Sequence, residues 1–490
     1  MKKSWALLPA LLLPLAAQAH SFGQVYNLPV PIWMYLYGAA GALLVSFLIV
    51  GYFVNDTSVS SNFRAKILDR TAFWRSVDAP SVRGTLRTIS VLGLLLTIAT
   101  GLFGKNNAYS NFNMTFFWII FVLGFTYFTA LIGDLYAAIN PWLTIIEWIE
   151  RRKPGVFAGK REYPARWFYY PALILYMAFI WIELFGRTRP LSLALILCGY
   201  SALTFGAAWW FGREKWFRYG EFLAVFFRLV AKMSPFQFTV VEGRRVLRLR
   251  QPFMGLVEDQ AEHLSLLLFV LFMLSSTAFD GIKDTVLWVS IFWKYVFQAL
   301  LPYFGGNMIT VYPYFQKAYQ VWQTLALAGS AYLYLGLYLS FIWGTKKLTH
   351  SDKSLTELGL YFAFSLIPIA FVYNITHYYT LIATQGSQIV RLVSDPFGAG
   401  WDIFATKRWL TAPVTLDAGV VWHTQVWLIL FGHIVSVYLA HVEALKVFPN
   451  QRQATLSQLP MLLLMVAFTT IGLWILSQPI SSGQVMAPTQ

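Results

Sequence analysis

Runs of about 20 apolar residues, the length a helix needs to cross the hydrocarbon core of a bilayer, recur along this 490-residue chain. Inside a bilayer the backbone finds no water to bond, so each run must be helical and must settle its few polar groups against other helices. The fold class is therefore all-α, a polytopic transmembrane helical bundle with the lipid bilayer as its surroundings. With 57% hydrophobic and 12% charged residues, a soluble globule is excluded. Spans are expected near 32–54, 88–104, 115–139, 167–186, 191–211, 261–279, 318–343, 358–384, 420–444 and 459–480, within a single integral membrane domain of residues 20–490.

The first residues, MKKSWALLPALLLPLAAQA, have a basic start, a short apolar core and an Ala-Gln-Ala end. This is a secretory signal pattern covering 1–19, with His20 as the new amino terminus. An uncleaved first anchor is the alternative. The single cysteine, Cys198, excludes intramolecular disulfides.

The formal net charge of +15 is a matter of topology, and no nucleic-acid partner is expected. Five connections (55–87, 151–166, 212–260, 344–355 and 445–457) hold 26 of the 37 Lys and Arg, and the alternating ones hold nine. Basic loops stay inside, so both mature termini are expected outside, in a bacterial inner membrane whose anionic headgroups meet the basic loops. Thr285 to Phe315 is apolar enough to pass for a span, yet counting it would put Lys346, Lys347 and Lys353 outside. Its aromatics, with Lys294 and Pro302, suit an interfacial or re-entrant outer segment. Phe222 to Met233 reads as an amphipathic helix on the inner surface.

Four of the seven histidines, His377, His423, His433 and His441, fall between Phe371 and His441. Imidazoles in apolar helices need partners and mark candidate sites, although each can equally hydrogen-bond a neighbouring helix. His377 and His423 belong to the outer parts of consecutive spans. His433 lies about 15 Å deeper than His423 at helical rise, so those two cannot share one ion. The loop SDPFGAGWDIFAT brings Asp395 and Asp402 to the outer side, where FDGIKD also delivers Asp280 and Asp284. Asp-Pro and Asp-Gly pairs are also ordinary turn chemistry. His377, Asp395 and Asp402 are the candidate catalytic groups, and His20, His377 and His423 the candidate metal ligands. Imidazole with carboxylate suits a divalent metal, zinc or copper, and an N-terminal His20 adds the chelate of a copper-binding histidine brace. Asp134 and Glu183 are further acids in or beside spans.

Read together, HSFGQVYNLPVPIW, SSTAFDGIKDTVLW, THYYTLIATQGSQIV, SDPFGAGWDIFAT, FGHIVSVYLAH and QLPMLLLMVAFTTIGLWILSQPI resemble bacterial polytopic membrane proteins known as fenitrothion hydrolases. The resemblance implies cleavage of an organophosphate triester, with a companion membrane or periplasmic subunit. It carries over no catalytic residues. Two other functions stay open on the residues alone. One is a membrane metal-handling or redox subunit using His20. The other is a small-solute transporter with Asp134, Glu183 and His433 along its path.

The charge division generates a first test. Reporter fusions after Arg250 and after Arg391 are expected to report inside and outside respectively, and the reverse at either point would overturn the orientation.

Overall fold

The computed structural model describes residues 30–54, 66–67, 79–241, 244–305, 308–409, 414 and 416–478. The signal segment and His20 lie outside the described residues. The chain is an all-α polytopic bundle and a multi-pass membrane protein. Ten of the described helices are long and apolar enough to cross a membrane.

In chain order the elements are α1 (Ile32–Phe53), β1 (Lys66–Ile67), α2 (Pro80–Phe103), α3 (Phe112–Ile132), α4 (Pro141–Arg152), α5 (Tyr170–Phe185), α6 (Pro190–Phe211) and α7 (Phe222–Ala231). They continue with β2 (Phe236–Val241), β3 (Arg244–Leu249), α8 (Leu264–Lys283), α9 (Val286–Phe304), α10 (Met308–Thr349), α11 (Leu355–Ser394), α12 (Ala418–Val447) and α13 (Gln451–Ser477). α8 is the axis. Nearly every side chain from Ser265 to Thr277 is buried, beneath α5, α10 and α11. α11, α12 and α13 pack on one another beside it, with α1 on their outer flank.

Without a hydrophobic force between helices in lipid, close approach and hydrogen bonds hold such a bundle. Ser275 and Ser330 pair at 2.9 Å, and Tyr338 donates to the carbonyl of Gly359 at 2.7 Å. Thr345 donates to the Ser457 carbonyl at 2.7 Å, and the Gln425 amide to that of Thr376 at 2.8 Å. Tyr373 reaches across to the Phe468 carbonyl at 2.5 Å, and its ring fills the space a side chain at Gly472 would need.

The basic ends gather on one face. There Arg213 pairs with Glu150 at 2.5 Å, Arg218 with Glu262 at 3.0 Å and Arg250 with Glu258 at 2.8 Å. A small antiparallel sheet in the order β1-β3-β2 also sits here, an element the sequence reading did not anticipate. Its register runs from Phe236↔Leu249 to Val241↔Arg244.

Three expectations are corrected. α8 does not stop at 279 but continues through Lys283, because Asp280 and Lys283 satisfy each other and need no water. Phe222–Ala231 is not a surface helix: Val225, Phe227, Leu229 and Val230 are fully buried, since α3, α5 and α11 cover it. The 115–139 run is not one helix. It breaks at Gly133, whose φ of 104° suits glycine, and α4 starts afresh at Pro141. The expected span at 167–186 is the shorter helix Tyr170–Phe185, and the ten span-length helices include α9, the segment read as interfacial or re-entrant. α9 folds back against the first turns of α10, through Trp288 on Trp322, Phe292 against Tyr319 and Phe297 against Phe315. This aromatic hairpin stands beyond the end of α8 opposite the basic face.

Gly472→Ala is expected to lower the stability of the detergent-solubilised protein by roughly 1–3 kcal/mol, the cost of overpacking a filled core. Gly199→Ala, where a methyl meets nothing within 4 Å, serves as the neutral control in the same melting experiment.

Candidate functional site

The polar residues that leave α8 apolar for most of its length return at its far end. Asp280 and Lys283 are one turn apart on the same face, 3.2 Å between Oδ1 and Nζ. The side chains are 1% and 7% exposed, and Lys283 also pairs with Asp284 at the helix terminus. From α11, His377 places Nε2 2.7 Å from Asp280 Oδ2, with 15% of its side chain exposed. The neighbouring Tyr378 donates to the same oxygen at 2.6 Å. Tyr378 also hydrogen-bonds Glu183, which approaches from α5. Three helices thus contribute Glu183, Asp280, Lys283, His377 and Tyr378 to one enclosed cluster.

Chemically the arrangement is a carboxylate-oriented imidazole beside a buried ammonium. Asp280 holds the imidazole at Nε2 and so orients the ring. Lys283 supplies a positive charge in a low-dielectric setting, where charge–charge interactions are strong. A cluster of this kind can move protons and stabilise a developing anion.

The other candidate residues go elsewhere. His423 bonds the Gly419 carbonyl through Nδ1 at 2.8 Å and meets the Tyr35 hydroxyl at 3.5 Å. The reason is helical phase: Gln425 turns towards α11 to reach Thr376, and two residues earlier on a helix is nearly the opposite face. His423 instead lines a shallow groove on the outside of α12 with Gly419, Val420, Thr424, Trp427 and Phe431. Asp395 accepts from the Gly400 amide at 2.8 Å, and Asp402 from the Lys407 amide at 3.0 Å. Both shape the loop, and Asp395 lies about 27 Å along α11 from His377 at helical rise. His377, His423, Asp395 and Asp402 are therefore not brought together. Among the described residues no three His, Cys, Asp or Glu side chains converge to hold a metal ion.

Of the two deeper histidines, His433 bonds within its own helix, with Nε2 unpartnered among the described residues, and His441 joins helices. His433 is fully buried with Nδ1 on the Ile429 carbonyl at 2.8 Å. His441 joins α12 to the end of α1, at the Val54 carbonyl (2.9 Å), and to Gln458 of α13 at 2.6 Å.

Sequence reasoning found His377 but gave it the wrong companions. The usable signal was the i, i+3 spacing of Asp280 and Lys283 directly after an unbroken apolar run, which extends the helix through both. Lys283→Met is expected to leave Asp280 an uncompensated buried charge and to destabilise by about 3–5 kcal/mol. The double variant Asp280→Asn/Lys283→Met should recover much of that loss in thermal melts, whereas additive losses would show that the two groups are not coupled.

No protein-family model, no curated protein and no solved structure matches this chain.

Proposed function

We propose that the chain is an integral membrane hydrolase whose working site is the His377–Asp280–Lys283 cluster, and that its substrates are neutral, lipid-soluble phosphotriesters of the organophosphate type. The observation that carries this reading is the 2.7 Å contact between His377 and Asp280. It is supported by the origin of the parts. Two of the segments that resemble fenitrothion hydrolases, SSTAFDGIKDTVLW and THYYTLIATQGSQIV, are nearly a hundred residues apart, and they supply Asp280, Lys283 and Asp284 on one side and His377 and Tyr378 on the other.

In this reading His377, oriented by Asp280, takes a proton from water as the water oxygen attacks phosphorus. The phosphorus–oxygen bond to the leaving group breaks and the leaving group departs as an anion. Lys283 faces the negative charge that accumulates on the phosphoryl oxygen. A membrane-embedded site suits an apolar ester, which partitions into the bilayer before it meets the enzyme.

The test uses full-length protein in lipid nanodiscs with fenitrothion as substrate, measuring release of its phenol leaving group. His377→Ala and Asp280→Asn are each expected to lower kcat by about 100-fold or more, with normal insertion. His423→Ala and Asp402→Asn are expected to stay near the parent activity. Full turnover in His377→Ala would remove the proposal.

A further inference from the structure

The end of α6 carries a second arrangement, on the basic face and away from the His377 cluster. α6 is a peripheral helix packed mainly on α2. Its exposed apolar positions, Leu191, Leu195, Leu203 and Trp210, fall on one face at helical spacing. Along a membrane span such a stripe meets acyl chains. The stripe ends in Trp209 and Trp210, 41% and 38% exposed, whose ring centroids are 5.6 Å apart. Indoles at the end of a span belong to the membrane–water interface.

The segment after α4 folds onto this helix end. The last carbonyls of α6 have no partner within the helix, and the loop takes one of them. The Lys160 and Arg161 amides both donate to the Trp210 carbonyl, at 2.8 and 2.9 Å. A return bond runs from the Arg213 amide to the Phe157 carbonyl at 3.1 Å. Two glycines allow the approach. Gly159 and Gly212 have φ of 100° and 84°, and a methyl on Gly159 would come 2.9 Å from the Gly212 nitrogen. Glu150 braces the loop from α4, accepting from the Phe157 amide at 3.1 Å while pairing with Arg213.

Held in this way, Lys160 and Arg161 place their charges over the two indoles. Lys160 Nζ is 5.8 Å from the Trp209 centroid, and the Arg161 guanidinium carbon 5.5 Å from that of Trp210. Two like charges are thus gathered at one spot. Other cations of this face have carboxylates: Arg213 has Glu150, Arg218 has Glu262, Lys232 has Asp259 and Arg250 has Glu258. Lys160 and Arg161 make no ion pair among the described residues, and the exposed Glu162 and Glu214 pair with neither. Cation–π contact steadies each charge without neutralising it, which leaves both to an anion from outside the chain. An ammonium beside a guanidinium matches a phosphate, with a point charge from one and a fork of N–H donors from the other. A phosphate at this spot has the acyl-facing stripe of α6 directly beside it, which suits a phospholipid.

We propose that Lys160 and Arg161, seated on Trp209 and Trp210, bind the headgroup phosphate of one anionic phospholipid whose acyl chains lie along the outer face of α6. Positive charge on the inner loops is a property of the whole face, whereas this is a fixed contact at one place. It does not depend on what the His377 cluster does.

Native mass spectrometry of the full-length protein in neutral detergent counts bound lipid where no charged surface adds to the contact. The parent is expected to retain one phosphatidylglycerol in preference to phosphatidylcholine, whose own cation the basic pair repels. Lys160→Gln/Arg161→Gln should lower that retention about ten-fold or more, the worth of one hydrogen bond between charged groups. Arg152→Gln/Lys153→Gln removes the same charge from exposed positions at the end of α4 and should leave retention unchanged. Trp209→Leu/Trp210→Leu keeps both charges and should weaken it. Equal loss in the two charge variants overturns the site, as does full retention in Lys160→Gln/Arg161→Gln or in Trp209→Leu/Trp210→Leu. Displacement of phosphatidylglycerol by millimolar inorganic phosphate would overturn the lipid as its ligand.

Discussion

The ion pair between Asp280 and Lys283 is the interaction on which the rest of the bundle is set. A carboxylate and an ammonium almost fully shut away from water are tolerable only with close geometry and further hydrogen bonds. Those bonds dictate neighbours. His377 and Tyr378 must present from α11, and Asp284 must close the helix end. α8 can then be buried from one face to the other, because its polar terminus carries its own counter-charges. The helices around it follow the same rule on a smaller scale, settling single hydroxyls and amides against neighbouring carbonyls.

Most of the architecture was legible in the chain, since a span is written in its hydropathy and its length. What escaped was whatever hydropathy does not encode. Phe222–Ala231 has the pattern of a surface helix, and only the packing of α3, α5 and α11 shows that it is enclosed. The stretch at Gly133 to Asn140 is short, so a window average over the strongly apolar run before it carries through the break despite Gly133, Asp134 and Asn140. The small sheet hides within a basic connection, where Arg-rich strands look like loop. At the candidate site, the pull of several histidines in one region drew His423 to His377, although the phase of Gln425 against His423 separates them. The acids were weighed in the loop after α11, while the one that meets His377 was already present in FDGIKD.

Glu221, the buried cap of α7, differs in kind from the His377 cluster. The His377 cluster carries both signs of charge and draws on three helices that cross most of the bundle. The Glu221 carboxylate sits among interrupted helices, and its partners are neutral hydroxyls and amides. Interrupted helices expose backbone amides that a continuous helix consumes, and this lets a carboxylate persist in the interior without a basic side chain beside it.

α10 carries a mechanical implication. Its 42 residues extend about 63 Å, twice the ~30 Å thickness of a hydrocarbon core. The aromatic hairpin rides on one end, and Lys346 and Lys347 anchor the other. From Tyr314 to Thr349 the rod contains no proline, and Ser330, Tyr338 and Thr345 fasten it to α8, α11 and α13 in turn. The aromatic hairpin at its other end therefore stands on a continuous helix rooted in the core of the bundle.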